Sequence, residues 1–191
     1  MTRAAVLVPV KAFAAAKVRL APALSAGERA ALARTMAERV VAAAAPMPVF
    51  VACDDDGVAD WARGVGADVE WTPGLGLNGA VQQGLASLVA EGFDLVVVAH
   101  ADLPHASGLM RVARFDGRVT IVPDRHDDGT NVIVVPAWVA AAGFTFAYGV
   151  GSFRRHIAEA ERIGSSVHVE RLPELQWDVD TPDDLPARLA N

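Results

Sequence analysis

Five apolar residues in unbroken succession, Leu95–Ala99, stand between Asp94 and His100. A run this short, with no polar alternation, suits a strand covered on both faces, as in a parallel sheet flanked by helices. Similar runs occur at Val6–Val10 and Val49–Cys53, Val69–Trp71 reads as a short strand, and helical patterns separate them. Ser25, with Glu28 three positions on, predicts a capping-box start for a helix running to about Ala45. Asp55–Asp56 opens a short helix through Val65. Asn78 is expected to cap a helix to Glu91 that carries Val81, Leu85 and Leu88 on one face, and Phe153 to Ile163 forms another. Val119–Val122 and Asn131–Val135 read as strands flanking the polar turn PDRHDDGT, and Val167–Leu172 as a last strand. Thr181 then reads as an N-cap, with Pro182 at the first helical position. This alternation predicts an α/β fold with a mainly parallel, Rossmann-like sheet flanked by helices. No repeat or linker interrupts it, so one domain is expected over residues 1–191.

The formal net charge is -6 and no basic run occurs, which argues against a nucleic-acid or anionic-membrane partner. The single cysteine, Cys53, ends an apolar run and reads as buried and inert, consistent with a reducing compartment. Val40–Cys53 is the longest apolar run, but Pro46 and Pro48 interrupt it well short of the about 20 residues a bilayer span needs. Ala4–Val10 is too short for a signal h-region. A soluble, cytoplasmic protein is expected.

In an open α/β sheet, ligands sit beyond the C-terminal ends of the strands. Of the 17 Lys and Arg residues only two are lysine, Lys11 and Lys17, and both follow the first strand, with Arg19 close behind. Three positive charges there suit a polyphosphate. The loop lacks glycine, so it is neither a Walker loop nor a Rossmann fingerprint, and a solvated loop with incidental charge is the competing interpretation. Asp102 follows the buried run Leu95–Ala99 and reads either as a hard ligand for magnesium or as a helix cap before Pro104. Asp178 and Asp180 bracket Val179, so in extended chain both carboxylates face one side and call for a cation between them. Gly149, Gly151 and Ser152, ahead of Arg154 and Arg155, read as an anion site at a helix N-terminus or as ordinary capping. His105, His126 and His168 are isolated and read as surface or structural residues. Trp61 and Trp71 read as packing, and Trp177 as a wall of the site.

Taken in order, VPVKAFAAAKVRLAP, LSAGERAALARTM, GLNGAVQQG, ADLP, VPDRHDDGTN, GVGSFRRH and DVDTPDDL resemble the 2-phospho-L-lactate guanylyltransferase family, phosphoenolpyruvate guanylyltransferases included. The resemblance implies a fold of the nucleotide-diphospho-sugar-transferase type and transfer of GMP from GTP to a small phospho-acid (2-phospho-L-lactate, phosphoenolpyruvate or 3-phosphoglycerate). Pyrophosphate is released, and the product serves coenzyme F(420) biosynthesis. By position it implies catalytic and nucleotide-binding roles for Lys11, Lys17 and Arg19, and nucleoside contacts from Gly76 and Asn78 around Leu77. Magnesium ligation falls to Asp102, Asp178 and Asp180, and acceptor binding to Thr130, Gly149, Ser152 and Arg155. The implied partners are the two small-molecule substrates, with a homodimer as a possible assembly. Asp127 and Asp128 stand where the family commonly has Gly-Thr, and as acids they would repel an anionic acceptor or accept bonds from an acceptor hydroxyl. A nucleotidyltransferase for a sugar phosphate or a pterin cofactor, and a non-catalytic nucleotide-binding regulator, are the alternatives.

Overall fold

The computed structural model describes residues 2–185. Its strands are β1 (Ala4–Pro9), β2 (Val49–Cys53), β3 (Asp68–Trp71), β4 (Leu95–Ala99), β5 (Val119–Pro123), β6 (Thr130–Pro136) and β7 (Val167–Val169). Its α-helices are α1 (Ala26–Ala43), α2 (Asp56–Gly64), α3 (Gly76–Ala90), α4 (Ala137–Ala141), α5 (Ser152–Arg162) and α6 (Pro173–Gln176). The strands form one sheet in the order β3-β2-β1-β4-β6-β5-β7. β1 pairs in parallel with β2 and β4, β2 with β3, and β5 with β7. Among the described residues only β6 runs the other way, against β4 and β5.

Side-chain alternation splits the interior into two layers. Val6 and Val8 of β1, with Val97 and Ala99 of β4, pack under α1 and α2. Ala5 and Leu7, with Val96 and Val98, pack under α3, α4 and α5. All five residues of β4 are buried, because both faces are covered. The capping box at Ser25 is present: its hydroxyl accepts from Glu28 N at 3.3 Å, and the Glu28 carboxylate accepts from Ser25 N at 2.8 Å. Cys53 is buried, and burial raises its thiol pKa. No helix among the described residues is long and apolar enough to cross a membrane.

Three local expectations need correction. Asn78 does not cap α3, which begins two residues earlier at Gly76. Its side-chain carbonyl instead accepts from Tyr148 N at 2.7 Å, tying α3 to the loop before α5. The last strand stops at Val169 rather than Leu172. Trp71 ends an edge strand and is 43% exposed, so it is not a packing residue, whereas Trp61 is buried.

The parallel arrangement brings the ends of β1, β2, β4 and β5 to one edge of the sheet, and the reversed β6 starts at that same edge with Thr130. Every segment singled out for chemistry thus arrives at one place. The layer beneath it depends on a close helix approach: a Cβ at Gly84 of α3 would stand 2.7 Å and 2.9 Å from the two methyls of the buried Leu7. Gly84→Val is therefore expected to lower stability by roughly 1–3 kcal/mol through overpacking. Urea unfolding checks this, and a midpoint equal to wild type would refute the close-approach reading.

Candidate active site

Two adjoining cavities open at this edge. The larger, about 840 Å³, takes in Lys11, Lys17 and Arg19 on one side and Gly76 with Leu77 on the other. The smaller, about 350 Å³, is bounded by Thr130, Gly149, Ser152 and Asp178. Asp102, Asp180, His100 and Arg19 line both. The structure thus gathers most of the residues singled out in the sequence. Asn78 and Arg155 are not in either lining.

At the junction the Lys17 ammonium donates to Asp102 Oδ2 at 2.5 Å and to Asp180 Oδ1 at 2.9 Å. Burial by itself would lower the Lys17 pKa, but the two carboxylates reverse the effect and hold it above the ordinary lysine value. Burial likewise pushes Asp102 up, yet Lys17 and then His100 bring it below the usual carboxylate range. Asp178 has no such partner among the described residues. Burial, followed by the charges of Asp102 and Asp180, lifts it to about 6. Arg19 reaches Asp180 only at 3.7 Å and is largely exposed. The cation beside Asp180 is therefore a side chain, shared with Asp102 rather than with Asp178, and Lys17 sits on these acids instead of standing free in the loop.

Among the described residues no three His, Cys, Asp or Glu side chains gather as a metal cage. The expected joint ligation by Asp102, Asp178 and Asp180 is thus not assembled as a set of three. The donor chemistry still fits a hard cation, since Asp102 Oδ1 is buried without a hydrogen-bond partner. Magnesium commonly takes only one or two carboxylates and completes its shell with phosphate oxygens and water.

The segment Asp178–Asp180 is held by residues that sequence reasoning passed over. Asp184, 5% exposed, accepts from Asp180 N at 2.8 Å, Thr181 N at 2.6 Å and Thr181 Oγ1 at 3.0 Å. Burial pushes Asp184 up, but these donors and the Arg125 guanidinium bring it down to about 2. Arg125 pairs with Asp184, donates to Asp178 O at 3.3 Å and stacks over Trp177 at 4.2 Å. Trp177 is therefore a platform for Arg125 and lies outside both linings. The motif DVDTPDDL carries this signal in its last acid, since Asp184 closes a capping box with Thr181.

Around the smaller cavity the loops hold themselves. The Asp124 carboxylate accepts from His126 N, Asp128 N and Gly129 N at 2.8–3.0 Å, closing the turn. Asp128 accepts from Gly151 N at 3.1 Å, and its backbone carbonyl accepts from Phe153 N at 3.0 Å. Ser152 N donates to Gly149 O at 3.0 Å. The amides of Gly151, Ser152 and Phe153 are thus engaged within the protein, with Asp128 serving as the anion at the start of α5. Asp127 pairs with Arg171 at 2.9 Å. Asp127 is thus paired with a cation, whereas Asp128 also lines the smaller cavity. Arg155 folds back onto Ala147 O and Val150 O and clamps the loop from outside.

Residues 4–189 match the family model described as guanylyl transferase CofC like. The chain belongs to this family. Relatives named phosphoenolpyruvate guanylyltransferase from Roseiflexus castenholzii and Conexibacter woesei are 39% and 38% identical, over 94% and 95% of this chain and 84% and 85% of theirs. One named 2-phospho-L-lactate guanylyltransferase, from Methanothermobacter thermautotrophicus, is 33% identical over 94% of this chain and 81% of its own. The fold recurs in a nucleotidyl transferase from Methanothermobacter at TM-score 0.68 and 14% identity, covering 96% of this chain and 94% of that one. It recurs also in a protein of Desulfovibrio desulfuricans G20, named only provisionally a nucleotide-diphospho-sugar transferase, at TM-score 0.77 and 17% identity, covering 96% and 85%. Both likenesses establish the nucleotidyltransferase-like fold of this guanylyltransferase.

One buried histidine adds a pH-dependent component to stability. His156 is fully buried, and Ala147 N–H donates to its Nε2 at 3.0 Å, so its own proton sits on Nδ1, 3.0 Å from Thr130 Oγ1. Burial, then His100 and Arg155, lowers its pKa to about 4. Between about pH 6.5 and 4 the unfolded chain holds a proton that the folded one refuses. Stability attributable to His156 is therefore complete above that window and falls by up to about 3 kcal/mol as pH drops through it. Unfolding free energies measured from pH 7 to 4 should lose this component of slope in His156→Gln. An unchanged slope in the variant would show that His156 is not its source.

Proposed function

We propose that this chain transfers GMP from GTP to a small phospho-acid, such as phosphoenolpyruvate, 2-phospho-L-lactate or 3-phosphoglycerate, and releases pyrophosphate. The observation that carries the reading is the pair of adjoining cavities that share Asp102 and Asp180. The larger one, with its lysine loop, suits a nucleoside triphosphate, and the smaller one suits a compact acid. Their junction is where an acceptor phosphate oxygen would meet the α-phosphorus of GTP. The named relatives support both the donor base and the class of acceptor.

In the proposed step an oxygen of the acceptor phosphate bonds to the α-phosphorus. The bond from that phosphorus to the bridging oxygen breaks, and its electron pair leaves with pyrophosphate. The nucleophile is already an anion, so no strong base is required. The protein's task is alignment and relief of anionic repulsion. Lys11, Lys17 and Arg19 face the triphosphate side. Asp102 and Asp180, with Asp178 beside them, would hold magnesium, which supplies charge neutralisation on the phosphate oxygens when bound. Asp184 and Arg125 keep the acids in place. Asp124, Asp128 and Arg155 keep the wall of the smaller cavity in shape. The reading extends to coenzyme F(420) biosynthesis in the cytoplasm, as the family resemblance implies.

The test is pyrophosphate release from GTP and magnesium with each of the three acceptors in turn. Release is expected with at least one acceptor and not without it. Asp102→Asn is expected to lower kcat/KM by about 100- to 1,000-fold, equivalent to roughly 3–4 kcal/mol of lost transition-state stabilisation. Tight GTP binding with no release for any acceptor would instead identify a nucleotide-binding regulator.

A further inference from the structure

Lys17 was expected to wait in its loop for a triphosphate, yet its ammonium lies 2.5 Å from Asp102 and 2.9 Å from Asp180. Its side chain is 11% exposed. It also adopts φ 54, ψ 40, in the left-handed region that non-glycine residues rarely occupy. Among the described residues only Lys17 and Asp127 combine a side chain with positive φ. The ion pairs thus hold the loop in a backbone state that lysine does not favour by itself.

We propose that Lys17 is the resident cation of the acid site and yields that place only to a divalent metal arriving with a polyphosphate. The inference rests on the nucleotidyl-transfer reading above. A free divalent ion cannot share the site, because a second cation between Asp102 and Asp180 would face the ammonium within a few ångströms. To enter alone it must expel Lys17 from two charge-assisted hydrogen bonds and leave a buried ammonium without a partner. A triphosphate in the larger cavity changes the balance. Lys17 lines that cavity beside Arg19 and Lys11, so phosphate oxygens offer its ammonium a new partner as the acids are released. Asp102 Oδ1, buried and unpaired while Lys17 is in place, then becomes available as a ligand. Metal and nucleotide accordingly bind as a couple. By linkage each must raise the affinity of the other by the same factor. The lysine thereby keeps the acids from collecting free metal in the absence of substrate.

The experiment measures Mn2+ binding directly, by the loss of the free-ion electron paramagnetic resonance signal, to the full chain with and without a non-hydrolysable GTP analogue. Wild type is expected to bind Mn2+ weakly alone and at least about tenfold more tightly with the analogue, after correction for metal bound to the analogue itself. Lys17→Met is expected to bind Mn2+ alone about tenfold or more tighter than wild type and to lose most of the coupling. Should that variant not fold by circular dichroism, Lys17→Gln removes the charge while keeping a donor for Asp102, and carries the same expectation. A folded variant whose affinity for Mn2+ alone equals that of wild type overturns the inference and leaves the transfer reading intact. Absence of Mn2+ binding by either protein, with or without analogue, overturns the metal assignment and this inference with it. Pyrophosphate release by wild type, assayed separately, reports on the transfer reading itself.

Discussion

The site is organised around one ammonium held by two carboxylates. Lys17 comes from the loop after β1, Asp102 from the end of β4 and Asp180 from the C-terminal segment, 85 and 163 residues away from Lys17 in sequence. Three negative side chains brought this close would repel, and after burial the charges of Asp102 and Asp180 raise the pKa of Asp178, which has no cationic partner among the described residues. Lys17 makes the gathering tolerable. Its pairs are partly buried, so salt screens them less than surface pairs, and loss of either partner would strand a charge.

Around this centre the loops are fixed by their own carboxylates. Asp124 collects three backbone amides of its turn, Asp128 takes the amide of Gly151, and Asp184 takes those of Asp180 and Thr181. Each satisfies donors that would otherwise be left open at a turn or helix start. Gly129 belongs to the same scheme, because a Cβ there would stand 2.7 Å from Asp124 Oδ2. An acid-rich sequence at an anion-binding edge is less paradoxical than it looks, since these acids are consumed in building the walls. Asp127 and Asp128, where the chain departs from the family pattern, both take part in loop structure, through Arg171 and Gly151 respectively.

The two cavities share a boundary but not a construction. Lysine and arginine side chains line the larger, while the smaller is walled by turns and by Thr130, which is tied to the buried His156. Tyr148 N is anchored by Asn78 of α3, and its ring packs 4.9 Å from both His100 and His156. A helix from one side of the sheet thereby fixes a loop of the smaller cavity.

By itself the sequence determined the strand and helix alternation, the burial of β4 and the strand ends at which chemistry would gather. These follow from local periodicity, capping patterns and the rule that open sheets bind ligands at one edge. The same reasoning put Lys17, Asp102, Asp178, Asp180, Thr130, Gly149 and Ser152 at a common edge. Only the tertiary structure decided which group meets which. The sequence left Lys17 as a phosphate ligand or an incidental loop charge, and local pattern carries no sign of its pairing with the acids, because they lie far along the chain. Asn78 looked like a helix cap because its neighbours were helical, but its partner Tyr148 arrives from 70 residues away. Asp128 and Arg155 looked free for a substrate because their partners are backbone groups of loops whose path leaves no periodic signature. A hydrogen bond's partner is fixed by where the chain returns, and periodicity within a segment carries no record of that return.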